Sequence, residues 1–218
     1  MNPSIASQIP KNLLFRYRFP CLETDIPWSN DFELDATHRM PCFSILENDS
    51  HFGEIRIGWR PEGLLVWASV TGKTQSAWCR QTQLLESDGL QLWIDTRDTQ
   101  NIHRASKFCH WFVLTPGGDG AKHEKPVASM LKINRSKDHS PTINRHKVKI
   151  ASRFDKTGYE LRAMIPGATL NGWDTDEHRN LGFYYALVDR ELGWQTLAAG
   201  PELPIAEDPS LWCTAQLR

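Results

Sequence analysis

The residues whose types and spacing most clearly suit binding or catalysis lie in one short segment, residues 89–98. Aliphatic side chains alternate there with Gln91, Trp93 and Asp95, and the charged residue Arg97 follows. A period of two is typical of a strand whose two rows of side chains face opposite sides. An amide, an indole and a carboxylate in one row can hold a polar ligand through hydrogen bonds and one flat apolar surface.

Carboxylates in and near this segment also allow a catalytic interpretation. Asp95, Asp98 and Glu160 could supply the two carboxyl groups that glycoside hydrolysis requires. A serine hydrolase is excluded at the level of motif, because no Gly-x-Ser-x-Gly elbow is present. Nothing marks a nucleophile, so we rank a glycoside-active enzyme lowest and predict no catalytic residue.

Nine tryptophans are the compositional oddity of the chain. Trp67 and Trp93 oppose the aliphatic row of their segments, and Trp111 lies in a segment whose two rows are both largely apolar. Indole faces stack against the C–H bonds of a pyranose, while the sugar hydroxyls need donors and acceptors nearby. The alternative is that these indoles fill a second core beneath loops.

The functional interpretation combines the indoles with polar residues that share their parity within the strands. Arginine suits this set because its planar guanidinium contacts two neighbouring oxygens at once. We therefore predict a saccharide-binding surface without metal ligands, formed by Trp67, Gln91, Trp93, Asp95, Arg97, Trp111, Glu160, Arg162 and Tyr184.

The elements that must position these residues are short strands separated by turn residues. Strands are predicted over most of the chain from residue 54 onward, and the glycine-rich residues 116–120 are predicted to be a turn or mobile loop. No segment longer than two turns has helical periodicity. We predict an all-β fold, an antiparallel two-sheet β-sandwich of jelly-roll-like form, in one domain over residues 1–218 with a flexible arm at residues 1–12.

Composition limits the partners and the compartment. The net charge of −1 argues against a nucleic-acid surface, and no apolar run approaches the ~20 residues of a membrane span. No secretory signal is visible, so a cytoplasmic location is expected. The five cysteines show no C-x-x-C spacing, which favours reduced thiols over a zinc site. No prediction is made for the oligomeric state.

Four segments in order resemble the family 9 carbohydrate-binding modules and their DOMON-like relatives. The resemblance spans about residues 50–217 and rests on segments 62–70, 88–98, 158–166 and 181–189. It implies a sandwich that binds saccharide through aromatic side chains without catalysis. Asp88, Gly89 and Asp95 match the family pattern, Gln91 replaces its usual acid, and Glu160 matches a family glutamate.

Two cofactor alternatives stay open beside a prediction of none. The DOMON-like resemblance implies a haem or redox module, for which Met130 or Met164 could pair with His110 or His146 as axial ligands. Separately, the alternating carboxylates Asp174 and Asp176 could offer oxygen ligands to calcium, although an exposed acidic turn is the default interpretation.

Overall fold

The structure of the protein is a computed structural model that describes residues 17–43, 51–140, 147–198 and 200–218. The predicted arm at residues 1–12 lies outside this part. The described chain forms eleven strands and four short 3-10 helices. The strands are β1 (Arg18–Glu23), β2 (Gly53–Arg60), β3 (Gly63–Val70), β4 (Gly89–Asp95), β5 (Cys109–Asp119), β6 (Lys125–Leu131), β7 (Lys149–Phe154), β8 (Tyr159–Pro166), β9 (Asn180–Asp189), β10 (Gly193–Thr196) and β11 (Cys213–Leu217). The 3-10 helices are Ala36–His38, Leu84–Glu86, Gly167–Thr169 and Pro209–Leu211.

The all-β prediction is confirmed, and the strands follow a mostly closed, barrel-like path. Their order is β6-β5-β4-β9-β11-β1-β2-β3-β8-β7, and β10 pairs with β9. Pairing is antiparallel except at β1, which runs parallel to both of its neighbours. The two ends of the path approach each other, since Ser152 of β7 donates a hydrogen bond of 2.7 Å to the carbonyl of Pro116 in β5.

Tight turns fix the register of the strands that carry the predicted site. Arg60 pairs with Gly63 across the turn between β2 and β3. Gly63 has a φ of +143°, and a Cβ there would lie 2.1 Å from the carbonyl oxygen of Ile165. Only glycine fits this position, because any side chain would collide with the backbone of β8.

The core forms between facing rows of strand side chains. The predicted inward row of β3, which includes Leu64 and Val66, is buried, as is the row of β4 that includes Leu92. The opposite row of β4 is also enclosed, because Gln91, Trp93 and Asp95 are less than 5% exposed. Both faces of β4 are therefore covered, as happens for strands at the centre of a sheet.

Two parts of the predicted strand pattern differ from the structure. The predicted loop at residues 116–120 is wrong for residues 116–119, because β5 continues through them and pairs with β6 across a register shift between Thr115 and Asp119. Gly118 has a φ of +128°, so its flexibility serves a bulge rather than a loop. The sequence pattern also does not predict β10, and it predicts an edge strand over residues 13–18, whereas β1 is Arg18–Glu23. Within the described ranges no helix has the length and apolarity to cross a bilayer.

Candidate functional site

A pocket of about 240 Å³ lies over β4, β5 and β9, on the side opposite the aliphatic row of β4. Its floor follows the strand register, since Trp93 of β4 stands opposite Trp111 of β5 on one side and Tyr184 of β9 on the other. β10 forms one wall, and the segment 200–206 forms another. The residues that line the pocket include Leu85, Gln91, Trp93, Trp111, Tyr184, Ala186, Trp194, Thr196, Pro201 and Leu203.

Aromatic rings dominate this floor. The indoles of Trp93 and Trp111 stack with centroids 5.6 Å apart and planes 19° from parallel, and Tyr184 meets Trp93 edge-on at 6.2 Å. Both indoles are recessed, whereas Trp194 is 42% exposed at the rim. A ligand that enters the pocket therefore meets one accessible indole and reaches a floor of two others.

Polar groups lie among these rings. Trp111 Nε1 donates a hydrogen bond of 3.2 Å to Gln91 Oε1, and the Tyr184 hydroxyl accepts one of 3.2 Å from the backbone N–H of Ala198. Trp93 Nε1 is buried and has no hydrogen-bond partner among the described residues. An unpaired buried donor costs about 1 to 3 kcal/mol.

The structure places Asp95 and Arg97 outside this pocket. Asp95 accepts hydrogen bonds from the backbone N–H groups of Arg97 and Thr99 at 3.0 and 2.8 Å, and burial raises the pKa of its carboxyl. Arg97 donates to the carbonyl of Gly172 at 2.6 Å and stacks over Phe108. Both residues hold together the turn that ends β4, at the far end of the strand from the pocket.

Trp67, Glu160 and Arg162 lie in a third place, on β3 and β8. Trp67 pairs with Arg162 across the two strands. The Arg56 guanidinium stands 4.6 Å from the centre of the Trp67 ring. Arg162 donates to the carbonyl of Phe32 at 2.8 Å and forms an ion pair of 2.9 Å with Glu160. Trp67 packs against a small apolar cluster. The predicted surface is therefore divided, and the pocket brings together Gln91, Trp93, Trp111 and Tyr184.

Sequence reasoning missed the wall of the pocket, which consists of Trp194, Thr196 and the segment 200–206. Trp194 directly follows Gly193, whose φ of +94° marks the turn between β9 and β10. The sequence signal that could have indicated this wall is a strand followed by a turn glycine and then a tryptophan. Its exposure could not be read from a four-residue strand, which is too short to show alternation.

A buried ion cluster fixes the strand ends beside this wall. The Lys73 ammonium, whose side chain is 3% exposed, lies 2.5 Å from Asp189 and 3.2 Å from Asp88. Asp88 also accepts hydrogen bonds of 2.9 Å from the backbone N–H groups of Trp78 and Arg190. Burial by itself lowers the pKa of Lys73, but its hydrogen bond to Asp189 and the two carboxylate charges outweigh burial and raise it. The cluster ties the start of β4 to the turn that leads to Trp194.

Asp174 and His110, which were predicted as calcium and haem ligands, form hydrogen bonds or close contacts with the protein's own backbone. Asp174 Oδ1 accepts the backbone N–H groups of Asp176 and Glu177 at 3.1 and 3.0 Å. His110 Nε2 accepts the N–H of Asn171 at 2.8 Å, and its Nδ1 lies 3.3 Å from the carbonyl of Ile94. Burial lowers the pKa of His110 to about 4, so the ring is neutral at pH 7.

In the described parts of the chain, no group of three or more His, Cys, Asp or Glu residues is arranged to hold a metal ion. His146, the other predicted haem histidine, lies outside the described residues. The calcium and haem alternatives stay predictions.

Comparison with known proteins relates this architecture to one fold. No protein-family model and no curated protein matches the chain. A family 9 carbohydrate-binding module from Caldicellulosiruptor kristjanssonii, solved with cellotriose, aligns over 93% of this chain and 94% of its own, with a TM-score of 0.63 and 10% identity. This chain has the fold of a family 9 carbohydrate-binding module. A family 9 module from the same organism, solved with glucose, aligns over 93% of this chain and 96% of its own, with a TM-score of 0.61 and 10% identity.

The family 9 likeness that four sequence segments indicate is thus confirmed for the fold. Two of those segments supply β4 and β9, the strands that carry three of the four floor residues, Gln91, Trp93 and Tyr184. An identity of 10% leaves the ligand to be argued from the site, because unrelated functions share folds.

Proposed function

We propose that this protein is a non-catalytic carbohydrate-binding module and that the pocket over β4, β5 and β9 holds the sugar. The observation that carries the proposal is the stacked pair Trp93 and Trp111, with Gln91 beside it and the exposed Trp194 at the rim. Aromatic faces beside hydrogen-bonding groups match the two surfaces of a pyranose. Structural neighbours solved with cellotriose and glucose support a sugar as the ligand.

The chemistry of recognition follows from the groups at this pocket. Trp194 offers an indole face to the C–H bonds of a ring, and Gln91 carries two N–H donors on its amide nitrogen. The volume of about 240 Å³ lies below the ~300 Å³ at which pockets for drug-sized ligands begin, so one sugar ring is the natural occupant.

Absence of catalysis is part of the proposal and rests on the lining of the pocket. Among the described residues, the lining includes no aspartate or glutamate. Hydrolysis of a glycoside through two carboxyl groups therefore has no acid or nucleophile there. Asp95 is engaged in its turn, and Asp98 accepts hydrogen bonds from Thr214 and Gln100.

We further propose that the barrel-like path is flattened into the two layers of a jelly-roll-like sandwich. One layer would hold β6, β5, β4, β9, β10 and β11, and the other β2, β3, β8 and β7. β1 supports this division, because Arg18 to Cys21 pair with β11 whereas Leu22 and Glu23 pair with β2. β1 therefore changes its pairing partner part-way along its length, as strands at the corners of a sandwich do when they pass from one sheet to the other.

Titration with sugars tests the proposed function. Glucose and cellotriose should quench tryptophan fluorescence and release or absorb heat in calorimetry, with Kd between about 1 µM and 1 mM, or about −8 to −4 kcal/mol. Sorbitol is the matched control, since it has the hydroxyl groups of a hexose without the ring that an indole face needs. Binding of sorbitol as tight as that of glucose, or no binding across a broad glycan panel, would contradict the proposal.

A further inference from the structure

The positive charge of this chain is concentrated in one region. Residues 104–149 contain ten Lys or Arg and three Asp or Glu, in a chain whose net charge is −1. Within it, residues 132–139 hold Lys132, Arg135 and Lys137 with Asp138 as the single acid. These three cations are exposed. The saccharide pocket uses none of them.

A second cavity lies beside this segment. Its volume is about 290 Å³, and it is found where β5 begins and β6 ends. Its lining shares no residue with the saccharide pocket. The polar part of that lining consists of Ser106, His110, Lys132, Ser136, Asp138, His139 and Ser140.

Two hydrogen bonds to backbone carbonyls dock the segments that surround the cavity. Arg104 Nε donates to the carbonyl of Arg135 at 2.8 Å, and the N–H of Lys137 donates to the carbonyl of Ala105 at 2.7 Å. The four cations Arg104, Lys132, Arg135 and Lys137 are thereby gathered at one end of the β5–β6 hairpin. Acids also lie near this end of the hairpin: Asp138 lines the cavity, Glu207 lies 3.8 Å from Arg135, and Asp208 lies 3.1 Å from His103.

Two further features distinguish this cavity and the segment beside it. Arg135 has a φ of +55°, a left-handed conformation that costs a non-glycine residue about 1 to 2 kcal/mol and that concentrates at functional sites. Ser140 Oγ is buried and has no hydrogen-bond partner in the described part of the chain. Ser140 and Lys132 both line the cavity, and a hydroxyl and an ammonium group can each donate to oxygen.

We propose that this cavity binds a tetrahedral oxyanion, the phosphate or sulfate group of a small polar molecule. Lys132 and Ser140 would donate to its oxygens, and Arg104, Arg135 and Lys137 would supply the positive potential that attracts it. Charge-assisted hydrogen bonds to phosphate are about twice as strong as neutral ones, which favours an anion over a neutral sugar here. The site is independent of the proposed saccharide pocket.

Calorimetry on the full chain tests this site, with inorganic phosphate, inorganic sulfate and acetate as probes at constant ionic strength. Phosphate or sulfate should bind and raise Tm, and acetate should do neither. The Lys132→Ala/Lys137→Ala variant should bind the oxyanion at least about tenfold more weakly. Its affinity for glucose should equal that of the unmodified chain.

A matched variant distinguishes a specific oxyanion site from nonspecific attraction by surface lysines. Lys122→Ala/Lys125→Ala removes the same charge at the opposite end of the β5–β6 hairpin, where Lys125 pairs with Asp119. This variant should retain oxyanion binding. Equal losses in the two double variants, equal binding of acetate, or no binding of phosphate or sulfate would overturn the proposal. Ser140→Ala provides a second check without any change of charge, and unchanged binding would also count against the site.

Discussion

Replacing Trp194 with alanine should weaken the binding of glucose and cellotriose by about 30-fold or more. Truncation of an aromatic residue that anchors a ligand typically costs 2 kcal/mol or more, and each 1.4 kcal/mol is a factor of ten. Trp194 is 42% exposed and the rest of its side chain packs against the protein, so urea unfolding of the variant must be measured beside binding. Calorimetric titration of both sugars measures the effect.

Trp67→Phe is the control for this experiment. Trp67 belongs to the same predicted set, but it packs beside Arg56 on β3, away from the pocket. The variant should bind both sugars as tightly as the unmodified chain. Loss of affinity in Trp67→Phe, with retention in Trp194→Ala, would move the binding surface to β3 and β8.

Replacing Lys73 with methionine should lower the free energy of unfolding by about 3 to 5 kcal/mol. The side chain is 3% exposed, and its removal leaves the carboxylates of Asp88 and Asp189 without their ammonium partner. The pKa of Lys73 is raised, so its contribution is fully present below the ordinary value of 10.5 and is lost only at higher pH. Urea unfolding at pH 7 measures the change.

Lys156→Met supplies the comparison, because this lysine is exposed in the turn between β7 and β8. Surface substitutions of this kind usually change the free energy of unfolding by less than about 0.5 kcal/mol. If the free energy of unfolding of Lys73→Met lies within about 1 kcal/mol of that of the unmodified protein, the buried ion cluster does not stabilise the fold as proposed.

The fold could be predicted wherever local patterns were strong. β3 and β4 combine alternating side chains with turn residues at their ends, and β4 extends over Gly89–Asp95, where the sequence alternates. β1 contains Pro20, and proline is usually confined to edge strands, so the pattern did not indicate a strand that pairs on both sides. β10 has four residues, too few to show a period.

The site could be predicted only in part, because parity assigns a side chain to a face without saying which strands are neighbours. Trp93 and Trp67 both oppose an aliphatic row, yet β4 pairs with β5 and β9, whereas β3 pairs with β2 and β8. Those pairings join residues far apart in the chain, such as Trp93 and Tyr184. The strand order, which no local pattern encodes, separated Trp67, Glu160 and Arg162 from the pocket, whereas Asp95 and Arg97 belong to the end of β4 and its turn.

The indole N–H signals of the nine tryptophans in a ¹⁵N-labelled chain offer the most direct measurement of where sugar binds. During titration with cellotriose, the signals of Trp93, Trp111 and Trp194 should shift together and saturate at one concentration. The signals of Trp28 and Trp67 should stay in place. A shift at Trp67 without one at Trp194, or no shift at any indole, would contradict the assignment of the pocket.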